Sequence, residues 1–393
     1  MKNVYIIAPC RTAVGNFQGS LKEMTAAKLG AVVIKEALNR SGVKPELVDQ
    51  VIMGNVLQAG QGQNPARQAA MGASIPETVP AMTINKVCGS GLTAVSLAAA
   101  LVRAGDAHCI VAGGAESMSN TPYYLPAMRD GARMGNAAAV DGMVHDGLWD
   151  VYNNYHMGVT AENIAESLQI SREAQDEYAL NSQLKASKAR AEGKFKDEIV
   201  PVEIPQRKGD PVIFCEDEYI REGATIESLQ KLRPAFKKDG SVTAGNASGI
   251  NDGAAAMLVV SEEFVKQHGL KCTARFVAGA SVGVDPSVMG LGPVPTVKAL
   301  LEKTSLSVSD IGLFEANEAF AVQALGVSGQ LGLPAEKVNV NGGAIAIGHP
   351  IGASGARITV SLLHEMARRG EKYGVATLCI GGGMGEAALF ELV

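Results

Sequence analysis

The chain of 393 residues contains an internal repeat that spans most of its length. A strand-like run at 51–55, which ends in Asn, has a counterpart at 313–317, and a Cys-Gly-Ser-Gly tetrad at 88–91 has a Gly-Ala-Ser-Gly counterpart at 352–355. Each tetrad opens an apolar run of helical length, and each run is followed by a β-prone segment that ends in glycines. Because the offset between the copies stays nearly constant, the repeat predicts two halves with the same fold.

The order of elements within each half indicates an α/β fold. Strands alternate with helices, which predicts mostly parallel sheets joined by helical crossovers. The helix predicted at 92–102 is apolar on nearly every face, as is typical of a helix buried on all sides. Its counterpart is predicted at 356–367. We therefore expect the two halves to stack so that these helices form a central layer between two sheets.

The middle of the chain has no counterpart in the repeat. It is more polar than its flanks, and its helical run begins after Ser171, a plausible N-cap. We interpret 119–248 as one inserted loop domain. The N-terminal half is then 1–118 plus 249–270, and the C-terminal half is 271–393. Insertions at the ligand end of an α/β scaffold usually carry function.

Composition excludes several classes of protein. The chain is 47% hydrophobic and 19% charged with a net charge of −5, which predicts no nucleic-acid binding. No uninterrupted apolar run has the roughly 18 residues that a membrane span needs, and the first residues resemble a strand and not a signal peptide. The six cysteines include no Cys-x-x-Cys pair. We expect a cytoplasmic protein without a metal site.

Cys88 is the first candidate for chemistry. It lies in a turn between a short β-prone run and the apolar helix, so its thiol is predicted at a helix N-terminus. The free N–H groups and the helix dipole at such a place favour a thiolate, which predicts a lowered pKa and a role as nucleophile. The alternative from the residue alone is a buried packing cysteine, because free Cys is among the most buried residue types.

Three further segments supply side chains for the same chemistry. His349 lies in a glycine-rich loop just before the second tetrad, Cys379 lies at the end of a predicted strand, and Asn317 ends another. Taken singly, each is more often structural: His349 as a hydrogen-bonded core residue and Cys379 as packing. Their joint presence favours a catalytic interpretation.

These motifs together resemble the thiolase family over the whole chain, and most of all its short-chain members that act on acetyl-CoA. The resemblance rests on Val-Cys-Gly-Ser-Gly at 87–91, Asn-Glu-Ala-Phe at 317–320, Gly-His-Pro at 348–350 and Cys-Ile-Gly-Gly-Gly at 379–383. The segment 243–249 also fits the family. The resemblance implies a layered αβαβα fold of two similar halves with an inserted loop domain, in agreement with the repeat.

The resemblance also implies an activity and a role for each residue. Two acetyl-CoA molecules would give acetoacetyl-CoA and CoA, reversibly, through an acyl-cysteine intermediate on Cys88. His349 would deprotonate Cys88, and Cys379 would deprotonate the second acetyl-CoA. Asn317, through a water, and His349 would stabilise the enolate oxygen. The backbone N–H groups of Cys88 and Gly381 would form a second oxyanion hole.

Substrate contacts are implied in the same way. The nucleotide and pantetheine arm would be held by residues that match family positions, namely Arg221, Ser228, Ala244 and Ser248. His156 and Met157 would lie near the thioester, and Met289 would form the floor of the acyl pocket. CoA thioesters would be substrates, with no tightly bound cofactor. The partners implied are acetyl-CoA, acetoacetyl-CoA and further copies of the chain in a homotetramer, with no nucleic acid and no membrane.

Three alternatives stay open at this point. The nearest is a 3-ketoacyl-CoA thiolase with a broader chain-length range. A condensing enzyme of the ketoacyl-synthase kind is more remote, because it would pair its cysteine with two histidines or with His and Asn. The third is a non-catalytic acyl carrier on a thiolase-like scaffold, which would be expected to lose one of the four chemical residues.

Overall fold

The computed structural model describes residues 2–393, in which strands and helices alternate through both halves. The strands are β1 (Val4–Thr12), β2 (Gly15–Asn16), β3 (Gln50–Gly54), β4 (Ala81–Ile84), β5 (Cys109–Ser117), β6 (Tyr123–Tyr124), β7 (Val140–Asp141), β8 (Trp149–Asp150), β9 (Tyr155–His156), β10 (Ile199–Val200), β11 (Val202–Ile204), β12 (Val212–Phe214), β13 (Asn251–Ser261), β14 (Ala274–Gly283), β15 (Leu313–Ala316), β16 (Tyr373–Ile380) and β17 (Met384–Leu392). The helices are α1 (Ala26–Ser41), α2 (Pro65–Gly72), α3 (Ser90–Ala104), α4 (Met157–Leu168), α5 (Arg172–Ala191), α6 (Ile226–Gln230), α7 (Glu262–His268), α8 (Pro293–Thr304), α9 (Ala321–Leu331), α10 (Ala344–Ile347) and α11 (Ser354–Arg369).

The main sheet shows the repeat directly. Its strand order is β15-β16-β17-β14-β1-β13-β5-β3-β4, so the run β1-β13-β5-β3 of the first half mirrors β14-β17-β16-β15 of the second. The two halves join where β1 pairs with β14, through Tyr5 opposite Arg275 and Ile6 opposite Ala274. The repeated halves are therefore also hydrogen-bonded to each other along one continuous path.

The expectation of mostly parallel sheets is wrong. Pairs β3·β5 and β15·β16 are parallel, but β13 runs antiparallel to both β1 and β5, and β17 runs antiparallel to both β14 and β16. The physical reason is the connection that leads into each strand. The turn at 381–383 is a short link that allows only an antiparallel return into β17, and β13 is reached through the long insertion and not through a helical crossover.

The predicted order of layers is confirmed, but the two sheets expected on either side of the central helices are joined into one by the pairing of β1 with β14. Helices α3 and α11 pack against each other in the centre, and their buried residues share one apolar core with the inner faces of β5, β13 and β16. Helices α1 and α2 cover the outer face of the first half, and α8 covers that of the second. The order of layers is αβαβα.

Glycines allow the two central helices to meet at their first turns. A Cβ atom on Gly91 would lie 2.7 Å from the backbone nitrogen of Ala356, and one on Gly355 would clash with the backbone of Leu92. A Cβ on Gly114 would clash with the carbonyl oxygen of Gly352. No side chain fits between these backbones, so the N-termini of α3 and α11 lie side by side.

The end of β5 differs from the sequence-based prediction. Strand β5 does not end at its glycine pair but continues to Ser117, because Gly113 and Gly114 lie inside the strand where neighbouring backbone presses on it. In the second half, by contrast, β16 ends at Ile380, just before the glycine run. The two glycine clusters thus serve different purposes: close packing in β5, and a tight turn after β16.

Helix α3 is buried at the centre of the fold. It ends at Gly105, whose φ of 90° supplies the left-handed cap. The stretch Val87–Ala104 has a mean hydropathy of 1.5, enough by length and composition to cross a membrane, but just over half of it is buried inside the fold. Its apolar character is explained by packing in the central layer.

The insertion adds peripheral elements to the scaffold. Strand pairs β6/β7, β8/β9 and β11/β12 form small two-stranded sheets, while β10 joins the main sheet by pairing with β1. Helix α5 begins as predicted, with the Ser171 side chain accepting a hydrogen bond from the backbone N–H of Ala174. The boundaries proposed for the three parts of the chain stay a prediction.

We predict that Gly355→Ala lowers the free energy of unfolding by about 1–3 kcal/mol, because the methyl group overpacks the contact between α3 and α11. Chemical denaturation followed by circular dichroism measures the change. Gly329→Ala is the matched control: Gly329 is an exposed residue in the last turn of α9 with nothing within 4 Å of its Cβ position, and the substitution should stabilise the helix by about 0.5–1 kcal/mol. Equal effects of both substitutions would contradict the packing account.

Candidate active site

Cys88 lies in the tight turn that leads from β4 into α3. The residue before it, Val87, has a φ of 47°, a left-handed conformation that a β-branched residue adopts only at a cost of about 1–3 kcal/mol. Gly89 follows without a Cβ because Ile380 occupies that space. The turn thus brings the Cys88 thiol against the end of β16 and leaves it 8% exposed.

The expected lowering of the Cys88 pKa is not observed. Burial raises the pKa of this thiol to about 11, although the backbone N–H groups of Gly381 and of Cys88 itself act in the opposite direction. The carboxylate of Glu116 adds a smaller upward contribution. Desolvation therefore outweighs the helix N-terminus, and the resting residue is a thiol that requires a base.

His349 is the candidate for such a base, because it lines the same cavity as Cys88. It lies in the turn between α10 and α11, where its backbone N–H donates to Asn251 Oδ1 at 2.9 Å. Burial, with a smaller contribution from the Arg357 cation, lowers the pKa of its imidazole to about 3, so the ring is neutral at physiological pH. Ring nitrogen Nδ1 is 2.5 Å from Ser354 Oγ, which leaves Nε2 for the cavity. Within residues 2–393 no hydrogen bond joins His349 to Cys88. In many enzymes the hydrogen bond between nucleophile and base forms fully only when substrate is bound.

Asn317 follows β15 and lies next to His349. Its backbone N–H donates to the carbonyl oxygen of Thr377 at 2.9 Å, and its Nδ2 is 3.5 Å from His349 Nδ1. The buried guanidinium of Arg357 donates to Asn317 Oδ1 at 3.4 Å. Because a guanidinium can only donate, this contact orients the amide with its oxygen toward Arg357 and its nitrogen toward the histidine.

Cys379 is the second-last residue of β16 and is fully buried. Burial, and after it the neighbouring Cys88 sulfur, raise the pKa of the Cys379 thiol far above its ordinary value. Both cysteines are free thiols. A thiol with so high a pKa gives a strong base once it has lost its proton.

One cavity of about 300 Å³ connects these groups. Cys88, His349 and Gly381 line it, while Asn317 and Cys379 are in contact with its lining from behind. Of the predicted substrate contacts, those that line the cavity are His156, Met157, Ala244, Ser248 and Met289. The lining is mostly apolar, as is usual for ligand sites of this size.

Two predicted substrate contacts lie outside the cavity lining. Arg221 stacks over the ring of Tyr219, with 5.2 Å between its guanidinium carbon and the ring centroid, and Tyr219 does line the cavity. Ser228 is exposed on α6, where it forms a capping box with Thr225. Both are therefore candidates for the part of a long ligand that extends beyond the cavity.

The sequence analysis missed an aromatic wall of the cavity. Phe236 stacks on His156 at 4.7 Å between ring centroids and meets Phe320 edge-on at 6.2 Å. Gly158 makes room for Phe236, since a Cβ there would clash with its ring. Phe320 could have been found as part of the 317–320 motif, but the contact between Phe236 and Gly158 joins distant segments and left no local signal.

Comparisons with known proteins identify the family of the chain. The family model for the thiolase N-terminal domain matches residues 4–263, and that for the thiolase C-terminal domain matches residues 270–392. The chain is 62% identical over 391 residues to an acetyl-CoA acetyltransferase of Cupriavidus necator, with 100% of both chains covered, and 58% identical to one of Pseudomonas aeruginosa, with 98% of both covered.

Solved structures with the same fold are also similar in sequence. The Bacillus anthracis acetyl-CoA acetyltransferase superposes with a TM-score of 0.98 at 47% identity, over 100% of this chain and 99% of that one. Human mitochondrial 3-ketoacyl-CoA thiolase in complex with CoA superposes with a TM-score of 0.96 at 44% identity, over 100% and 98%.

We predict that alkylation of Cys88 by iodoacetamide accelerates about tenfold per pH unit from about pH 7 to 10, because the thiol pKa is raised to about 11 and only the thiolate reacts. Mass spectrometry of the Cys88 peptide measures the rate. The peptide that carries exposed Cys215 serves as the internal reference in the same digest. A plateau below about pH 8 would reveal a thiolate–imidazolium pair and contradict the neutral ground state.

Proposed function

This chain belongs to the thiolase family, and we propose that Cys88, His349, Asn317 and Cys379 carry out its reaction at the cavity that Cys88 and His349 line. The chain is an acyltransferase that converts two acetyl-CoA molecules to acetoacetyl-CoA and CoA, reversibly, through an acyl-cysteine intermediate. The observation that carries the assignment of residues is the convergence of two cysteines from different halves beside one neutral histidine.

In the first half-reaction, the Cys88 sulfur attacks the carbonyl carbon of acetyl-CoA while His349 takes the thiol proton. The bond from that carbon to the CoA sulfur breaks, and Cys379 gives its proton to the departing CoA thiolate. The raised thiol pKa of Cys88 explains why a base is required. The His349 ring is neutral, so one ring nitrogen has a free lone pair, but burial makes it a weak base and the proton transfer has to accompany attack on the thioester. The products are acetyl-Cys88, free CoA and a Cys379 thiolate.

In the second half-reaction, the Cys379 thiolate removes a proton from the methyl group of a second acetyl-CoA. The resulting carbanion attacks the carbonyl carbon of acetyl-Cys88, acetoacetyl-CoA forms, and the Cys88 thiolate leaves and recovers its proton from His349. Burial favours this step because a desolvated thiolate with a strongly raised pKa is the stronger base. Two cysteines are needed because one holds the acetyl group while the other moves protons.

Negative charge develops on an oxygen in both half-reactions. The backbone N–H groups of Cys88 and Gly381, which already face the Cys88 sulfur, suit the oxygen of the acetyl group attached there. Asn317, through a water held by its amide nitrogen, and His349 would stabilise the enolate oxygen of the second acetyl-CoA. In comparable sites, each fixed donor lowers the activation free energy by about 2.7–4 kcal/mol.

CoA thioesters are the substrates, and we propose how the chain holds them. Ala244, Ser248 and His156 would contact the pantetheine arm in the cavity, while Arg221 and Ser228 would contact the nucleotide outside it. Support comes from their placement: the first three line the cavity, and the other two lie on the insertion beyond the cavity lining.

We further propose that short acyl groups are preferred over the longer ones of the broader-chain alternative. Met157 and Met289 are buried in one apolar cluster with Phe320 and Cys379, so side chains fill the space behind the reacting sulfurs. A longer acyl chain would have to displace them, although methionine can move more easily than a branched residue.

We also propose that the protein is cytoplasmic and that four copies assemble into a homotetramer. The six free thiols fit a reducing compartment. The β6/β7 hairpin and the loop between its strands expose Tyr123, Leu125, Met128 and Met134, and exposed apolar side chains of this number suit an interface between copies.

We predict that Cys379→Ser still forms an acetyl adduct on Cys88, more slowly because the proton donor to the departing CoA is lost. Condensation should fall by at least about 10²-fold, because serine cannot act as the carbon base. Intact-protein mass spectrometry after addition of acetyl-CoA, together with an assay for acetoacetyl-CoA, measures the two steps separately. Cys88→Ala is the companion variant and should lose both. Absence of an adduct on the unaltered enzyme would argue for the non-catalytic scaffold and defeat the proposed function.

We predict that kcat/KM in thiolysis falls by about tenfold or more from acetoacetyl-CoA to 3-ketohexanoyl-CoA, since two added methylenes have to displace the methionines. Met289→Ala should bring the kcat/KM values for the two substrates closer together, because the shorter side chain enlarges the acyl pocket. Met71→Ala, at a residue that is 45% exposed and outside the cavity, serves as the control and should leave the ratio unchanged. Equal kcat/KM for both substrates in the unaltered enzyme would support the broader-chain alternative.

A further inference from the structure

The backbone next to the nucleophile is held in an unfavourable conformation. Of the non-glycine residues with positive φ in the described chain, Val87 is the one with a β-branched side chain. Such a conformation persists only where its surroundings fix it from several directions. The contacts around Val87 therefore show which groups determine where the Cys88 thiol lies.

Local hydrogen bonds give the turn its shape. The Val87 N–H donates to Asn85 Oδ1 at 2.9 Å, and the Lys86 N–H donates to Ser90 Oγ at 2.8 Å. Ser90 Oγ in turn donates to the carbonyl oxygen of Val87 at 2.7 Å. All of these bonds lie within residues 85–90, so they shape the turn but do not place it relative to the second half of the chain.

The Lys86 side chain makes an ionic connection between the halves, in addition to the packing of Gly89 against Ile380. Its Nζ lies 2.5 Å from Glu386 Oε2 and 2.7 Å from Ser281 Oγ. Glu386 is on β17, opposite Leu378 and thus one position from Cys379 on the neighbouring strand. The carboxylate side chain is only 4% exposed and that of Lys86 is 24% exposed, so water and salt screen the pair little.

We propose that Lys86 is a positioning residue: its ion pair with Glu386 fixes the strained turn that carries Cys88 at a set distance from Cys379. Lys86 does not line the cavity and touches no substrate atom in the proposed reaction. It acts through the Cys88 backbone on one side and through the β16–β17 pair on the other. The inference rests on the proposed function, since it assumes that both cysteines react.

The test compares Lys86→Met, Glu386→Gln and the swapped pair K86E/E386K. Lys86→Met should lower kcat by about 10- to 100-fold with the KM for acetoacetyl-CoA changed less than about threefold, because a misplaced nucleophile slows chemistry more than binding. The swap should recover much of the lost kcat, a rescue that a merely local role of the lysine would not produce.

The matched control breaks another ion pair on the same strand. Arg275 on β14 pairs with Glu391 of β17, at the end of the strand away from the cysteines. Arg275→Met should leave kcat within about twofold of the unaltered enzyme, because its distance from the reacting sulfurs removes any effect on their separation. If Arg275→Met loses as much kcat as Lys86→Met, general destabilisation explains the loss and the proposal is overturned.

The outcomes separate this proposal from the proposed function. If the unaltered enzyme forms no acetyl-Cys88, the proposed function fails. If it does, and folded Lys86→Met turns over normally, only the positioning role fails. Should Lys86→Met not fold, Glu386→Gln gives the decision, because it keeps a neutral acceptor of the same shape: a reduced kcat supports the ionic link, and a normal kcat overturns it.

Discussion

The fold and the site both depend on the close contact between the first turns of the two central helices. Gly91 and Gly355 let α3 and α11 touch backbone to backbone, and Gly114 admits the Gly352 carbonyl beside them. Glu116 then closes the junction, since its buried carboxylate accepts hydrogen bonds from the backbone N–H groups of Val56 and Gly352. Because the Cys88 turn precedes one helix and the His349 turn precedes the other, this contact brings the proposed nucleophile and the proposed base into one cavity.

The electrostatics of the cavity follow from its burial. Removal from water raises the pKa of both cysteine thiols and lowers that of the His349 imidazole, so all three groups rest in their neutral forms. Neutral groups avoid the cost of an unpaired buried charge. In the proposed reaction charge appears only during turnover, when the backbone N–H groups of Cys88 and Gly381 already face the Cys88 sulfur.

Much of this could be predicted from the sequence. The repeat predicted two matched halves with a central pair of helices, and four motifs in order predicted the family before any contact was known. Two features could not be read in this way. The antiparallel course of β13 and β17 depends on how the chain returns to the sheet, and the raised pKa of Cys88 depends on how completely neighbouring segments cover it. Both arise from contacts between segments far apart in the chain, as does the packing of Phe236 over Gly158.

The central claim is that the two cysteines divide the work, with Cys88 holding the acyl group and Cys379 moving the carbon-bound proton. The most direct measurement follows deuterium entering the methyl group of acetyl-CoA in D₂O by proton NMR. The account predicts exchange with the unaltered enzyme and a loss of at least about 10²-fold with Cys379→Ser, although that variant still becomes acetylated. Exchange at the unaltered rate in Cys379→Ser would show that another group is the carbon base and would contradict the account.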